Sequence, residues 1–115
     1  MATSEERWRA NWPADAGTPS GPPASTLIFE NRHVRVWSLE LRPGESTALH
    51  THMHPYLFVV LQPSRVSVKY ADGSQLSAEQ DPGSVVWAGM DDAARTHVVV
   101  NVGQRVCVER LIEIL

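Results

Sequence analysis

From Thr26 onward, apolar and polar residues follow the two-residue period of β-strands. The segment from Arg65 to Tyr70 alternates completely, with Val66, Val68 and Tyr70 on one face, which is typical of a strand with one solvated side. The pattern predicts strands at residues 26–30, 34–41, 46–52, 56–61, 65–70, 75–79, 84–88, 95–101 and 105–115.

Residues that favour turns separate these strands. Pro43-Gly44 and Asp81-Pro82-Gly83 interrupt the pattern, and Asp72-Gly73 is a strong hairpin signal. Short strands divided by turns at about 8–12-residue spacing predict an all-β sandwich or barrel, here over residues 26–115.

Residues 1–25 form an N-terminal extension of different character. A short helix is expected from Ser4, which can cap it, to the residue before Pro13, and a loop rich in Pro and Gly follows. The extension carries Trp8 and Trp12. One interpretation is that a tryptophan anchors it on the domain or on a partner subunit, and the other is a mobile tail.

Composition limits the class of protein. A chain of 115 residues, 43% hydrophobic and 20% charged, is sufficient for one compact domain. The ten basic residues are scattered and the net charge is −3, so we expect no nucleic-acid partner. No apolar run is long enough to span a membrane. The single cysteine, Cys107, fits a reducing compartment, and we expect a cytoplasmic location.

Histidines are concentrated in the sequence His50-Thr51-His52-Met53-His54, and the only others are His33 and His97. Residues two apart on a strand point to the same face, so three imidazoles can project from one side. Imidazole suits zinc, copper, iron and nickel. The segment therefore indicates a transition-metal site.

These residues resemble the first motif of the cupin family, small β-barrels of the jelly-roll type. That motif is Gly, five residues, His-x-His, three or four residues, Glu, then six residues and Gly. Gly44 lies in register with His50 and His52. The motif's Glu is replaced by Tyr56 or, with the longer spacing, by Leu57.

The second cupin motif is Gly, five residues, Pro-x-Gly, two residues, His, three residues, Asn. Gly83 opens it, and His97 with Asn101 keeps the final spacing. Gly89 stands where the motif has Pro, and the loop that follows is longer than the motif's. The resemblance covers residues 26–115 and implies a jelly-roll barrel.

The resemblance implies a metal site of His50, His52 and His97 without a carboxylate. This set is similar to those of cysteine dioxygenase and of the enzymes that cleave β-diketones. It implies a mononuclear enzyme, most simply an Fe(II) dioxygenase that acts on a small anionic, chelating substrate. The alternatives are an isomerase or lyase with zinc, nickel or manganese, and a small-molecule-binding module without turnover.

Further residues are candidates for the same site. Tyr56 either contacts the substrate or packs in the barrel wall, and His54 is either a proton carrier near the metal or a residue at the rim. Phe58, Trp87 and Arg95 are candidates for the substrate pocket. Asn101 is expected to form a turn, and Cys107 to be a buried, inert thiol. We also expect a homodimer, because pairing covers exposed sheet edges and apolar faces.

Overall fold

The computed structural model describes residues 21–89 and 96–115, and within these ranges every regular element is a strand. The strands are β1 (Thr26–Glu30), β2 (Val34–Leu41), β3 (His50–Thr51), β4 (Tyr56–Gln62), β5 (Arg65–Tyr70), β6 (Gln75–Glu79), β7 (Val85–Ala88), β8 (Thr96–Asn101) and β9 (Cys107–Ile114).

The strands form two antiparallel sheets. One sheet has the order β1-β2-β9-β4-β7, and the other has the order β3-β8-β5-β6. Apart from the hairpins β1-β2 and β5-β6, neighbours within each sheet are not consecutive in sequence, as in a jelly roll, where the chain crosses repeatedly between sheets. The all-β jelly-roll prediction is confirmed.

The last strand is central to the larger sheet, where it pairs with β2 and β4. Its residues alternate between buried and partly buried, and the buried ones are Cys107, Glu109, Leu111 and Glu113. The core at one end of the barrel contains Leu39, Leu41, Val66, Cys107 and Ala24. Two glutamates thus occupy inward positions on a strand whose other inward residues are apolar or a thiol.

The segment before the histidines differs from the predicted strand 46–52. Only His50–Thr51 is a strand, together with an isolated bridge between Ser46 and Val100. The hydroxyl of Thr47 accepts a hydrogen bond from the backbone N–H of Val99 at 3.0 Å. A side chain therefore replaces a backbone acceptor in the ladder, and regular pairing is interrupted there.

Asn101 has the structural role expected of it. Its side-chain amide donates to the carbonyls of Leu41 and Arg105, and its side-chain oxygen accepts from the hydroxyl of Ser64 and the N–H of Gly103. Its backbone carbonyl accepts from the N–H of Gly44, which has a φ of 86° that favours glycine. Asn101 therefore joins the segment that leads to Gly44 with the turns that contain Ser64 and Gly103.

The end of the N-terminal extension packs on the barrel. Ala24 is buried in the core, and the Ser25 hydroxyl and the backbone of Glu40 are joined by hydrogen bonds. The predicted helix, with Trp8 and Trp12, lies outside the described residues. Among those residues, no helix is long and apolar enough to cross a bilayer; the cytoplasmic location stays a prediction.

Candidate metal centre

Three histidines meet inside the barrel, close to one end of strands β3 and β8. His50 and His97 face each other as a cross-strand pair, and His52 follows directly after β3. Their exposed fractions are 1%, 5% and 3%. The structure therefore brings together the three residues that the cupin resemblance implied.

The three imidazoles converge through their Nε2 atoms. The Nε2 of His52 lies 3.0 Å from the Nε2 of His50 and 3.2 Å from the Nε2 of His97. With metal–nitrogen bonds of about 2.1 Å, two ligand nitrogens lie about 3.0 Å apart at a right angle and about 3.4 Å apart at the tetrahedral angle. Both measured spacings are therefore those of neighbouring ligands on one metal ion, all three ligand atoms lie within 4.8 Å of one another, and the group contains no carboxylate.

The protonation of these histidines suits a metal. The Nδ1 of His50 lies 2.7 Å from the carbonyl of Ala48 and donates to it, which leaves the Nε2 lone pair directed inward. Burial, with the neighbouring histidines, lowers the pKa of His50 to about 4 and that of His52 to about 2. A neutral imidazole can offer an unprotonated ring nitrogen to a metal ion, so this buried donor set fits a divalent metal.

Two tyrosines border the histidine group. Tyr56 stacks on His52 with ring centroids 4.0 Å apart, and Tyr70 meets His97 edge to face at 5.8 Å. Burial raises the pKa of both phenols, so each remains a hydrogen-bond donor at neutral pH. The sequence reading missed Tyr70, although its place opposite His97 follows from the pairing of β5 with β8.

A cavity of about 500 Å³ extends from the histidines into the barrel. Phe58, a candidate for the substrate pocket, is among the residues that line it. Trp87 does not, because Val86 and Ala88 are the residues of β7 that line the cavity, and 61% of Trp87 is exposed on the opposite face of the strand. The alternation of β7 is the physical reason, and the structure does not place Trp87 in the substrate pocket.

The remaining candidates are separated from the histidine group. His54 is half-buried and belongs neither to the group nor to the residues that line the cavity. Strand β3 ends at Thr51, and Pro55 comes directly after His54. The two-residue alternation of the strand therefore does not continue to His54. Arg95 lies outside the described residues.

The cavity also contains a carboxyl group that the sequence reading missed. Glu109 lines it and is only 5% exposed, and the thiol of Cys107 lies 3.8 Å from its Oε2. Burial raises the pKa of Glu109 to about 7 and that of Cys107 to about 12. The available signal was the strand period, which places Glu109 on the same face as Cys107 and Leu111.

Comparison with known proteins supports the fold. No protein-family model and no curated protein matches the sequence. Among solved structures, a cupin domain protein from Bordetella pertussis is 21% identical, with a TM-score of 0.70 over 85% of this chain and 96% of that chain. A cupin with a double-stranded β-helix fold from Methanocaldococcus jannaschii is 12% identical, with a TM-score of 0.61 over 90% and 85%.

A third similar structure is an enzyme, the polyketide cyclase RemF from Streptomyces resistomycificus. It is 18% identical, and the TM-score is 0.54 over 71% of this chain and 54% of that chain. These likenesses agree with the strand order of the two sheets. The chain therefore has the cupin fold, and its structure contains three buried histidines that could hold a metal ion.

Proposed function

We propose that this protein is a mononuclear metal enzyme, an Fe(II)-dependent dioxygenase that acts on a small anionic substrate. The observation that carries the proposal is the convergence of three Nε2 atoms, 3.0 and 3.2 Å apart, at one end of a cavity and without a carboxylate. A metal bound here has three protein ligands, which leaves positions for substrate.

The charge of the ligand set favours one class of substrate. Three neutral imidazoles leave a divalent ion with its full charge, so an enolate, carboxylate or thiolate that chelates it is preferred. Fe(II) in such a site supplies Lewis acidity and the redox chemistry that reactions of dioxygen require. The protein's contribution is a rigid, largely buried donor set.

The surrounding residues orient the substrate and exclude water. The Tyr56 phenol stays protonated and lies against His52, where it can donate a hydrogen bond to an oxygen of a chelated anion. Phe58 and Leu111, which are cross-strand neighbours, provide an apolar wall beyond the metal ligands. An apolar wall strengthens the interaction of the anion with the metal by excluding water.

A second candidate function has a specific observation in its favour. One solved structure with this fold is named as a polyketide cyclase and not as an oxygenase. A cupin isomerase or lyase with zinc, nickel or manganese is the corresponding proposal for this chain. A small-molecule-binding module without turnover is the third.

The experiment that tests the proposal combines metal analysis with oxygen uptake. Protein purified from its native host is analysed for metal content, and dioxygen consumption is then measured against a panel of small carboxylates, β-diketones and thiols. We expect about one iron per chain and substrate-dependent oxygen uptake. His50→Ala should abolish both, whereas His54→Ala, the matched control outside the group, should retain both.

The other outcomes separate the candidates. Stoichiometric zinc, nickel or manganese with anaerobic turnover would replace the dioxygenase by an isomerase or lyase. A metal-free protein that carries an unchanged ligand would favour the binding module. Metal content unaffected by His50→Ala would contradict a metal site at these histidines.

We also propose that the protein forms a homodimer through the outer face of the five-stranded sheet. An apolar row crosses all five strands on that face, and its members are Phe29, Val36, Ile112, Leu57 and Trp87. A row without charged residues is complementary to itself across a two-fold axis, so a second copy can cover it.

The oligomeric state tests the homodimer. Sedimentation should show a dimer that Trp87→Lys converts to a monomer. Val102→Lys, which changes an exposed apolar residue in a loop outside this row, should leave the dimer intact. A wild-type monomer at micromolar concentration would contradict the homodimer.

A further inference from the structure

The two inward glutamates of β9 have different surroundings. Glu113 accepts a hydrogen bond from the indole N–H of Trp37 at 2.6 Å, and the guanidinium of Arg35 lies 3.6 Å away. Glu109 lines the cavity, and within residues 21–89 and 96–115 no Arg or Lys forms an ion pair with it. The described part of the chain therefore supplies a counter-charge to Glu113 and none to Glu109.

The groups that contact Glu109 are neutral. Its Oε2 lies 3.8 Å from the Cys107 thiol, which also lies 3.4 Å from the amide oxygen of Gln80. Because burial outweighs the hydrogen bonds from the Cys107 thiol and the Gln80 side chain, the pKa of Glu109 is raised to about 7. A buried carboxylate without a cation is costly, and bound ligand can supply the missing positive charge.

Glu109 is separated from the metal ligands along the barrel. Tyr56, which stacks on His52, is the cross-strand partner of Glu113. Glu109 pairs instead with Val60, four residues further along β4. Four residues of strand correspond to about 13 Å. Phe58 and Leu111 lie between these levels and line the cavity. The cavity thus has a histidine end, an apolar middle and a carboxyl end.

We propose that Glu109 is a specificity-determining residue that selects ligands with a protonated amine at the end remote from the metal. The inference rests on the proposed function, because the other end of the ligand is an anion chelated at the histidines. An ammonium group would form a charge-assisted hydrogen bond with the Glu109 carboxylate, while an alkyl chain contacts the apolar middle. The substrate class is a small molecule with an anionic chelating head, an apolar spacer and an ammonium tail.

The test compares two probes that differ only in the tail. Protein loaded with Co(II) is titrated with the hydroxamate of ε-aminocaproic acid and with the hydroxamate of heptanoic acid, which has a methyl group in place of the ammonium. The visible spectrum of the cobalt reports chelation by the shared head group, and calorimetry gives the affinity. We expect the ammonium probe to bind at least about tenfold more tightly, a difference of about 1.4 kcal/mol.

Two variants locate the preference. Glu109→Gln should bind both probes with equal affinity, because the amide keeps the size of the side chain and removes its charge. Glu113→Gln is the matched control on the same face of β9, and it should keep the preference because Glu113 does not line the cavity.

The outcomes separate this inference from the proposed function. Equal binding of the two probes to wild-type protein, with a changed cobalt spectrum, would overturn the role of Glu109 and leave the metal site standing. A preference that survives in Glu109→Gln would also overturn it. A cobalt spectrum that neither probe alters would contradict the metal site and, with it, the selection of a ligand held there.

Discussion

The two ends of the cavity are both polar, but they satisfy their polar groups in different ways. At the histidine end, three Nε2 atoms lie close enough for one cation to be shared by three ligands. At the carboxyl end, Glu109 is one buried acid whose neighbours among the described residues are neutral, and a single positive charge or a proton would balance it. The comparison shows that burial lowers the pKa of a base and raises that of an acid in one cavity.

The largest expected effect lies at the histidine end. His50→Ala removes one of three nitrogen ligands, and we expect metal affinity to fall at least about 1,000-fold, or about 4 kcal/mol. His54→Ala should leave the affinity unchanged, because His54 lies outside the group. Competition titration with a chromophoric chelator measures both. Equal losses in the two variants would mean that the metal site extends along the chain rather than across to His97.

The carboxyl end should determine how stability changes with pH. Because the folded state raises the pKa of Glu109 from 4.5 to about 7, the acid costs almost nothing below pH 4.5; its cost grows between pH 4.5 and about pH 7 and levels off above that. At pH 8 the penalty is about 3 kcal/mol.

Comparison with Glu109→Gln isolates this penalty, because the histidines titrate alike in both proteins. Urea unfolding of metal-free protein should show the variant gaining stability over the wild type between pH 4.5 and pH 8. A difference that does not depend on pH would mean that Glu109 is ionised throughout and is paired in solution.

A smaller effect is expected from Tyr56, which lies beside the histidine group. Tyr56→Phe keeps the stacking on His52 and removes the hydroxyl. We expect chelating anions to bind about tenfold more weakly, a loss of about 1.4 kcal/mol for one hydrogen bond, with metal content unchanged. Calorimetry with the heptanoic hydroxamate measures this loss. Loss of metal together with anion affinity would show that the phenol acts through His52 instead.

The smallest effect is expected outside the cavity wall. Trp87→Ala should leave the affinity for both hydroxamates within about 0.5 kcal/mol of the wild type, because the indole lies on the outer face of β7. Phe58→Ala is the contrasting variant, since its ring lines the cavity, and it should weaken binding of both probes equally. A matching loss in Trp87→Ala would indicate that the sheet is perturbed as a whole.

Local patterns predicted most of the fold. Strands β1, β2, β5 and β6 have the bounds that alternation indicated, because each lies between clear turn residues. The segment before His50 was predicted as a longer strand because propensity does not show that the Thr47 hydroxyl replaces a backbone acceptor. That hydrogen bond depends on Val99, a residue far away in the sequence.

By itself, the sequence determined most of the strands and, through its resemblance to two cupin motifs, the set of His50, His52 and His97. Only the tertiary structure decided that His54 lies outside the group, that Trp87 faces outward and that Glu109 shares a cavity with the histidines. The two-residue alternation of a strand assigns each side chain to one of the two faces of that strand. Which groups then meet, and whether a charge finds a partner, depends on the pairing of strands that are distant in sequence.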